Sequence, residues 1–319
     1  MATLGNVRTI MKAGNVRTIL KALADVRKHA PTASRICLVG SPDLLADVAR
    51  MLSAGADDAG SGLSPAFDVL ERGDFPTRPE ALSRWAVVVF LEDAQAPVRP
   101  ELGPTVAFCR AAHVPAVVAA VRDTEAVALD RHAFSTLAGL SNRELVLHTR
   151  GTPASRSALA RRIAQAAGQD GLALAAALPA LRPAIVQHTI DATARQNAVV
   201  GAVIFLPGAD MPVMTVNQLK MVLRIGAAYG FKPDLQRTLE MLGVIMSGFG
   251  LRALARSAVD YVPGLGWAMK ASVGYVGTEA IGRSAVLYFE SGAPLTASRF
   301  PRLASQLGKF EKIARGLTP

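Results

Sequence analysis

The sequence predicts a parallel α/β domain followed by an all-helical domain. Continuous apolar runs occur at 35–39, 85–91 and 115–121, with helix-like segments between them. Such strands, without polar alternation, are typical of a parallel sheet that is covered on both faces. From 184 to 292 no strand-like alternation is found. The chain is 50% hydrophobic but only 5% aromatic, and this wealth of aliphatic residues suits helices and buried parallel strands.

The elements of the α/β part follow from its apolar runs and its turn residues. The turn 40–43 contains Pro42 and Asp43, either of which can open a helix that carries apolar residues on one side. A fourth, shorter strand is predicted at 145–147. The helices of this part are predicted around 106–112 and 152–168.

The second half is divided by Pro and Gly clusters, which interrupt helices. Helices are predicted at 184–205, 213–229, 234–247, 249–259 and 264–289. The domain prediction is a basic N-terminal segment at 1–30, an α/β domain at 31–168, a linker at 169–184, a helical domain at 185–292 and a basic tail at 293–319.

The N-terminal segment contains a tandem repeat, GNVRTIMKA at 5–13 and GNVRTILKA at 14–22. In a helix a shift of nine residues turns the second copy about 180° away from the first. The two copies would therefore not form one amphipathic face. A slipped duplication explains the repeat at least as well as a membrane anchor does.

The first strand and helix stand where a phosphate-binding P-loop would stand. A working P-loop reads GxxxxGK followed by Ser or Thr. Counted from Gly40, those last three positions hold Leu45, Ala46 and Asp47. The lysine that meets the phosphates is missing, and a carboxylate is introduced. The sequence therefore argues against an ATP or GTP site here, and no cofactor is predicted.

Two further segments resemble small-GTPase motifs in position but not in residues. DFPT at 74–77 stands where a DxPG motif precedes the next strand, and VRDT at 121–124 stands where NKxD reads guanine. Together they resemble a GTPase-like domain with decayed motifs. Any doubly wound α/β domain remains an alternative reading.

No other set of residues forms a recognisable catalytic or metal site. Cys109 and His113 are four residues apart, but two ligands do not make a zinc site, and no third group orients a catalytic pair. The reading preferred for them is a buried cysteine beside a surface histidine. With only two cysteines, a disulfide framework is not expected, and a reducing cytosolic setting fits.

The stretch at 195–230 is the most distinctive in the chain. An uncharged run at 196–209 leads through a Pro-Gly-Ala-Asp-Met-Pro turn into a helix with one apolar face. We expect two helices bent into a hairpin, with Asp210 at the bend. No run reaches the roughly 18 apolar residues of a simple transmembrane helix.

Residues 185–292 resemble the YcjF-type domain family of unknown function. The resemblance rests on the order and spacing of several motifs, namely Arg195, LPG at 206–208, Asp210, VNQLKM at 216–221 with Gln218, PG at 263–264 and TEAIG at 278–282 with Glu279. The resemblance implies a membrane-associated helical domain that follows a GTPase domain. Arg195, Asp210, Gln218 and Glu279 are the candidate structural or interaction residues.

Local spacing adds three expectations for this helical domain. Asp191 with Arg195, and Glu279 with Arg283, are placed for ion pairs one helical turn apart. Small residues in the last helix, at 271, 274, 277, 282 and 285, give it a flank for close packing. In the alternative, a soluble bundle, Asp210 simply caps the helix that follows it.

The net charge of +10 favours an anionic partner. We found no motif that directs this charge to nucleic acid. The resulting prediction is a non-enzymatic, membrane-associated scaffold or regulator at the cytoplasmic face, with the membrane surface or inner membrane, an unidentified protein and a second copy as partners. The alternative is a soluble nucleotide-binding protein or enzyme with an unrecognised site. A nucleic-acid-binding module is the third reading.

Overall fold

The structure, a computed structural model, describes residues 35–55, 66–126, 130–168, 170–203, 210–231 and 266–291. The strands are β1 (Arg35–Gly40), β2 (Phe67–Glu71), β3 (Trp85–Asp93), β4 (Ala116–Arg122) and β5 (Leu145–Thr149). The helices of the first half are α1 (Pro42–Ser53), α2 (Leu102–Ala111), α3 (Arg131–Leu137) and α4 (Pro153–Ala167). They are followed by α5 (Gly171–Ala177), α6 (Arg182–Val203), α7 (Asp210–Ala228) and α8 (Gly266–Ser291).

The five strands form one sheet in the order β2-β1-β3-β4-β5. Every neighbouring pair is parallel. The predicted class, a parallel α/β domain followed by helices, is confirmed, and the sheet is compatible with a P-loop type of domain. Its central strands β3 and β4 are buried almost throughout, as their unbroken apolar runs predict.

Strand β2 was not predicted from the sequence. It reads FDVLE, lies at one edge of the sheet, and is buried only at Phe67. Its Asp68 accepts hydrogen bonds from Arg35, at the start of β1, and from the indole Nε1 of Trp85 at 2.7 Å. A short edge strand with a paired carboxylate carries little hydrophobic signal, and this is the reason that the pattern missed it.

The helices cover the two faces of the sheet separately. The apolar sides of α1 and α4 pack on one face, and those of α2 and α3 pack on the other. The short α3 was also not predicted. Helix α2 ends at Ala111, and His113 adopts a left-handed conformation with φ 58°.

Helices α6, α7 and α8 form a three-helix bundle. Asn197, near the end of α6, contacts the Met214 carbonyl near the start of α7, so these helices are antiparallel and form the predicted hairpin. The predicted close packing of α8 is confirmed at two glycines: a Cβ at Gly274 would lie 2.7 Å from the Asn197 carbonyl oxygen, and one at Gly282 would lie 2.6 Å from Ile190.

The bundle and the sheet share one hydrophobic core. Residues of α6, α7 and α8 belong to the same buried cluster as those of α1 and α4. The stretch assigned to the linker contains α5, whose Leu174 is fully buried, and it is followed by the equally buried Leu178 and Leu181. The segments 1–30 and 293–319, and the helices predicted at 234–247 and 249–259, lie outside the described residues.

Candidate functional site at the carboxyl edge of the sheet

The strand order defines one place where a ligand would be expected. Helix α1 follows β1 on one face of the sheet, and α2 follows β3 on the other. Neighbouring parallel strands whose helices diverge in this way leave a crevice at their carboxyl ends, and this is the usual ligand site of doubly wound folds. The candidate site is therefore the crevice between the ends of β1 and β3.

No phosphate-cradling loop connects β1 to α1. The strand ends at Gly40, the helix begins at Pro42, and Ser41 alone lies between them. In a P-loop several residues wrap the phosphates with their backbone N–H groups. Here the corresponding positions form the first turns of α1, where Leu45 N donates to the Ser41 carbonyl at 2.9 Å, and Pro42 has no N–H to offer.

Gly40 is packed too closely against β3 to leave space at the end of the strand. A Cβ at this position would lie 3.0 Å from the Leu91 Cβ and 3.3 Å from the Leu91 carbonyl oxygen. Gly40, which stands at the position of the first P-loop glycine, therefore allows β1 and β3 to pack closely together. This close packing and the absence of the P-loop Lys and Ser/Thr both argue against a phosphate site at the end of β1.

An ion cluster bridges the crevice instead. Glu92, 6% exposed near the end of β3, accepts two hydrogen bonds from Arg99, one of them from Nε at 3.0 Å. Arg72, which follows β2, donates to the Leu91 carbonyl at 3.2 Å and lies 3.6 Å from the Glu92 carboxylate. Because β1 lies between β2 and β3, the Arg72 side chain crosses the end of β1.

This Arg72–Glu92–Arg99 cluster was not predicted from the sequence. A signal was present, because Glu92 directly follows the apolar run of β3, and a carboxylate at the buried end of a strand requires a partner. Arg72 and Arg99 lie in other segments of the chain, so the spacing of residues in the sequence does not predict that they contact Glu92.

The other two GTPase-like motif positions do lie at the carboxyl edge. Asp74 ends the short 3-10 turn after β2 and is exposed. Asp123 directly follows β4 and pairs with Arg150 at 3.3 Å. Arg122 donates through Nε to the Thr149 hydroxyl at 2.9 Å. These side chains tie β4 to the end of β5.

A serine and a histidine meet at the end of β5. The Ser155 hydroxyl lies 3.1 Å from Nδ1 of the buried His148. The same hydroxyl donates to the Thr149 carbonyl at 2.6 Å and accepts from the Thr149 N–H at 2.9 Å. With its proton already donated and its oxygen enclosed, Ser155 fixes the start of α4 rather than serving as a nucleophile.

The cysteines show buried, unreactive surroundings. Cys109 is fully buried while His113 is exposed. Burial raises the pKa of the Cys109 thiol to about 12, and it also raises the pKa of Cys37. No group of three or more His, Cys, Asp or Glu that could hold a metal ion occurs in the part of the chain that the structure describes.

The four candidate residues of the helical domain have different surroundings. Arg195 is exposed on α6. Asp210 is the first residue of α7. Gln218 is 6% exposed and donates to the Thr278 hydroxyl at 3.1 Å. Glu279 forms the predicted pair with Arg283, at 2.7 Å. For Asp191 the prediction was wrong: its carboxylate accepts a hydrogen bond from Gln187 at 2.6 Å and forms no ion pair with Arg195.

Gln218 belongs to a buried polar network that joins the three helices. The fully buried Asn197 donates to the Thr278 hydroxyl at 2.9 Å and accepts from Asn217 at 2.8 Å. The Thr278 hydroxyl donates in turn to the Gly274 carbonyl at 2.7 Å. A buried network whose members are paired fixes the register of the helices.

No protein-family model matches the chain, and no curated protein matches it. None of the helices among the described residues is both long and apolar enough to cross a membrane.

Proposed function

We propose that this protein is a non-catalytic scaffold or regulator that associates with the cytoplasmic face of a membrane through its helical domain, and that its α/β domain is a GTPase-like fold without a working nucleotide site. The observation that carries the proposal is the direct connection of β1 to α1 through Ser41. A nucleotide-fold domain without a phosphate loop retains a rigid framework for protein contacts.

The ion cluster supports the same proposal. Arg99 pairs with Glu92, and Arg72 lies 3.6 Å from the same carboxylate, so a nucleotide phosphate would have to compete with a buried carboxylate for these guanidinium groups. Breaking a buried pair leaves an uncompensated charge, and this costs about 3–5 kcal/mol. A phosphate that displaced the Glu92 carboxylate would have to offset this cost.

Membrane association is supported by the net charge of the chain and by the order of motifs in its helical domain. The chain carries a net charge of +10, and basic residues close to an anionic bilayer each contribute about 1 kcal/mol. The order of motifs at 185–292 also resembles a membrane-associated domain family. A scaffold acts by binding other molecules. The proposal therefore includes an unidentified protein partner and a second copy of the chain.

Nucleotide binding tests the first half of the proposal. Thermal unfolding of the whole chain should be unchanged by GTP, GDP, ATP or NAD at millimolar concentration with Mg²⁺, whereas an active P-loop GTPase measured in parallel should shift. A saturable shift, abolished by R99Q, would instead support the alternative of a nucleotide-binding protein or enzyme that uses the crevice arginines.

Membrane fractionation tests the second half. We expect the protein in the membrane fraction of cells that express it, and retention on vesicles that contain anionic phospholipid. A pool that remains wholly in the supernatant at low salt, with and without vesicles, would overturn membrane association.

A further inference from the structure

A single buried carboxylate lies between two arginines at the carboxyl edge of the sheet. Arg99 donates through both Nε and Nη2 to the Glu92 carboxylate, and the bond from Nε is 3.0 Å long. Arg72 lies 3.6 Å from the same carboxylate. The side chains of both arginines are 32% exposed, whereas that of Glu92 is 8% exposed. Solvent therefore reaches the cations of this cluster more readily than it reaches the anion.

The cluster offers more positive charge and more donors than Glu92 uses. Two guanidinium groups face one carboxylate, so one positive charge is in excess. The 3.6 Å separation between Arg72 and Glu92 is too long for a hydrogen bond. The buried Nε of Arg72 has no hydrogen-bond partner among the described residues. A buried donor without an acceptor is uncommon in folded proteins and requires an explanation.

Both arginines are also held by contacts other than Glu92. Arg72 donates to the Leu91 carbonyl at 3.2 Å. The Arg99 carbonyl accepts from the Leu102 N–H at 3.2 Å, and this bond fixes the Arg99 backbone at the start of α2. Loss of the carboxylate would therefore leave both guanidinium groups near the end of β3.

We propose that the Arg72–Glu92–Arg99 cluster is an anion site at the end of β3 that the chain closes with its own carboxylate. Glu92 takes the place that a phosphate, or a similar doubly charged oxyanion, would take between the two arginines. The fork that Arg99 presents to Glu92 is also the geometry in which arginine binds phosphate. The site consists of side chains and does not use the P-loop position after β1.

This inference rests on the proposed absence of a working nucleotide site, and it names the contact that closes the crevice. The contact is autoinhibitory, because an oxyanion can bind only when the carboxylate moves away. A phosphate dianion would neutralise both arginines, but the displaced Glu92 carboxylate would be left buried and unpaired. The unaltered chain should therefore bind phosphate weakly, and removal of the Glu92 charge should open the site.

Isothermal titration calorimetry of the full chain with inorganic phosphate tests the proposal. At mildly alkaline pH, where phosphate is a dianion, and at constant ionic strength, E92Q should bind phosphate at least about tenfold more tightly than the unaltered chain does. Adding R72Q or R99Q to E92Q should return the affinity to that of the unaltered chain, because each substitution removes one guanidinium group.

D93N is the matched control. Asp93 is exposed, and its carboxylate accepts a hydrogen bond from the Gln95 N–H at 2.8 Å, which an asparagine side chain can also accept. D93N therefore removes the same charge from the next residue without releasing an arginine, and it should bind phosphate as the unaltered chain does.

Thermal unfolding gives an independent readout. In phosphate-free buffer E92Q should unfold at a lower temperature than D93N, because both arginines lose their buried counter-charge. Phosphate should raise the unfolding temperature of E92Q more than that of D93N, since a ligand that binds only the folded state stabilises it. If E92Q does not fold, E92D replaces it. This variant withdraws the carboxylate by one methylene, and it should bind phosphate more tightly than the unaltered chain does.

The outcomes separate this inference from the proposed function. If E92Q, or E92D in its place, binds phosphate no more tightly than D93N, Glu92 closes no anion site and the inference is overturned. If the unaltered chain binds phosphate as tightly as E92Q, the carboxylate blocks nothing and the inference also fails. In both cases the thermal unfolding of the unaltered chain with nucleotides decides separately whether a working nucleotide site exists.

Discussion

At the carboxyl end of β5 a single buried imidazole joins the sheet to the start of α4. His148 is 1% exposed and lies against the hydroxyl of Ser155, at the start of α4. Burial lowers the pKa of His148 below its usual value near 6.5, and hydrogen bonding to Ser155 and the charge of Asp47 in α1 offset only part of this effect. The folded protein therefore favours the neutral form of this imidazole.

The free energy of unfolding should depend on pH through the protonation of His148. Just below about pH 6.5 the unfolded chain binds a proton at His148 that the folded chain does not bind, so the free energy of unfolding falls as the pH falls. Urea unfolding at about pH 7.5 and about pH 5.5 measures the loss. H148N keeps an amide donor near the position of Nδ1 but does not titrate, so its stability should change less.

The control for that experiment is H132N, since His132 is exposed. His188 adds a contribution of the same sign, because burial and the nearby Arg195 lower the pKa of His188. The dependence in H148N should therefore be reduced rather than abolished. A profile for H148N as steep as that of the unaltered chain would contradict the assignment.

At the scale of elements, the register of α6, α7 and α8 depends on one hydroxyl. Thr278 accepts from the amides of Asn197 and Gln218. T278V keeps the shape of the side chain but leaves buried amide donors without an acceptor. Each unsatisfied buried donor costs about 1–3 kcal/mol, so we expect T278V to lower the free energy of unfolding by about 2–4 kcal/mol in urea titrations.

Ser284 provides a control on the same helix. It is 3% exposed, and its hydroxyl donates only to the Ala280 carbonyl one turn earlier. S284A should therefore cost less than about 1 kcal/mol. Equal losses in T278V and S284A would show that the contacts between helices add nothing beyond the local hydrogen bond.

The sequence was a good guide to elements with a strong apolar pattern. Long apolar runs predicted the buried strands β1, β3 and β4. Distinct Pro and Gly clusters between helices predicted α6, α7 and α8. Strand β2 and helix α3 were missed, because they are short and only partly buried. The polar clusters were missed because Glu92 and Asn197 find partners across the fold, and such meetings depend on tertiary packing.

At the scale of the whole molecule, α5 connects the sheet to the bundle. Its Leu174 is fully buried in the cluster that contains residues of both parts. Since a shared core couples the two parts, we expect them to unfold in a single transition. In a W267F background, in which Trp85 is the remaining tryptophan, fluorescence from the sheet and far-ultraviolet circular dichroism should give the same urea midpoint.

Replacement of Leu174 tests the coupling. L174A should lower the free energy of unfolding by about 2–5 kcal/mol, as large-to-small core substitutions do, and it should lower both midpoints together. L287A, at an exposed position, should change neither by more than about 0.5 kcal/mol. Two separate midpoints in the W267F chain would mean that the parts fold independently.

Because β1 passes from Gly40 through Ser41 directly into α1, substitutions alone would not create a phosphate site here. Substituting Gly, Lys and Ser at Leu45, Ala46 and Asp47 would write the end of a P-loop signature into the chain, yet these positions already lie within a helix that begins at Pro42. Their backbone would remain helical, and Gly40 would still be pressed against Leu91. An engineered or evolving descendant could acquire a phosphate site here only by inserting residues between strand and helix, a step that point mutations cannot take.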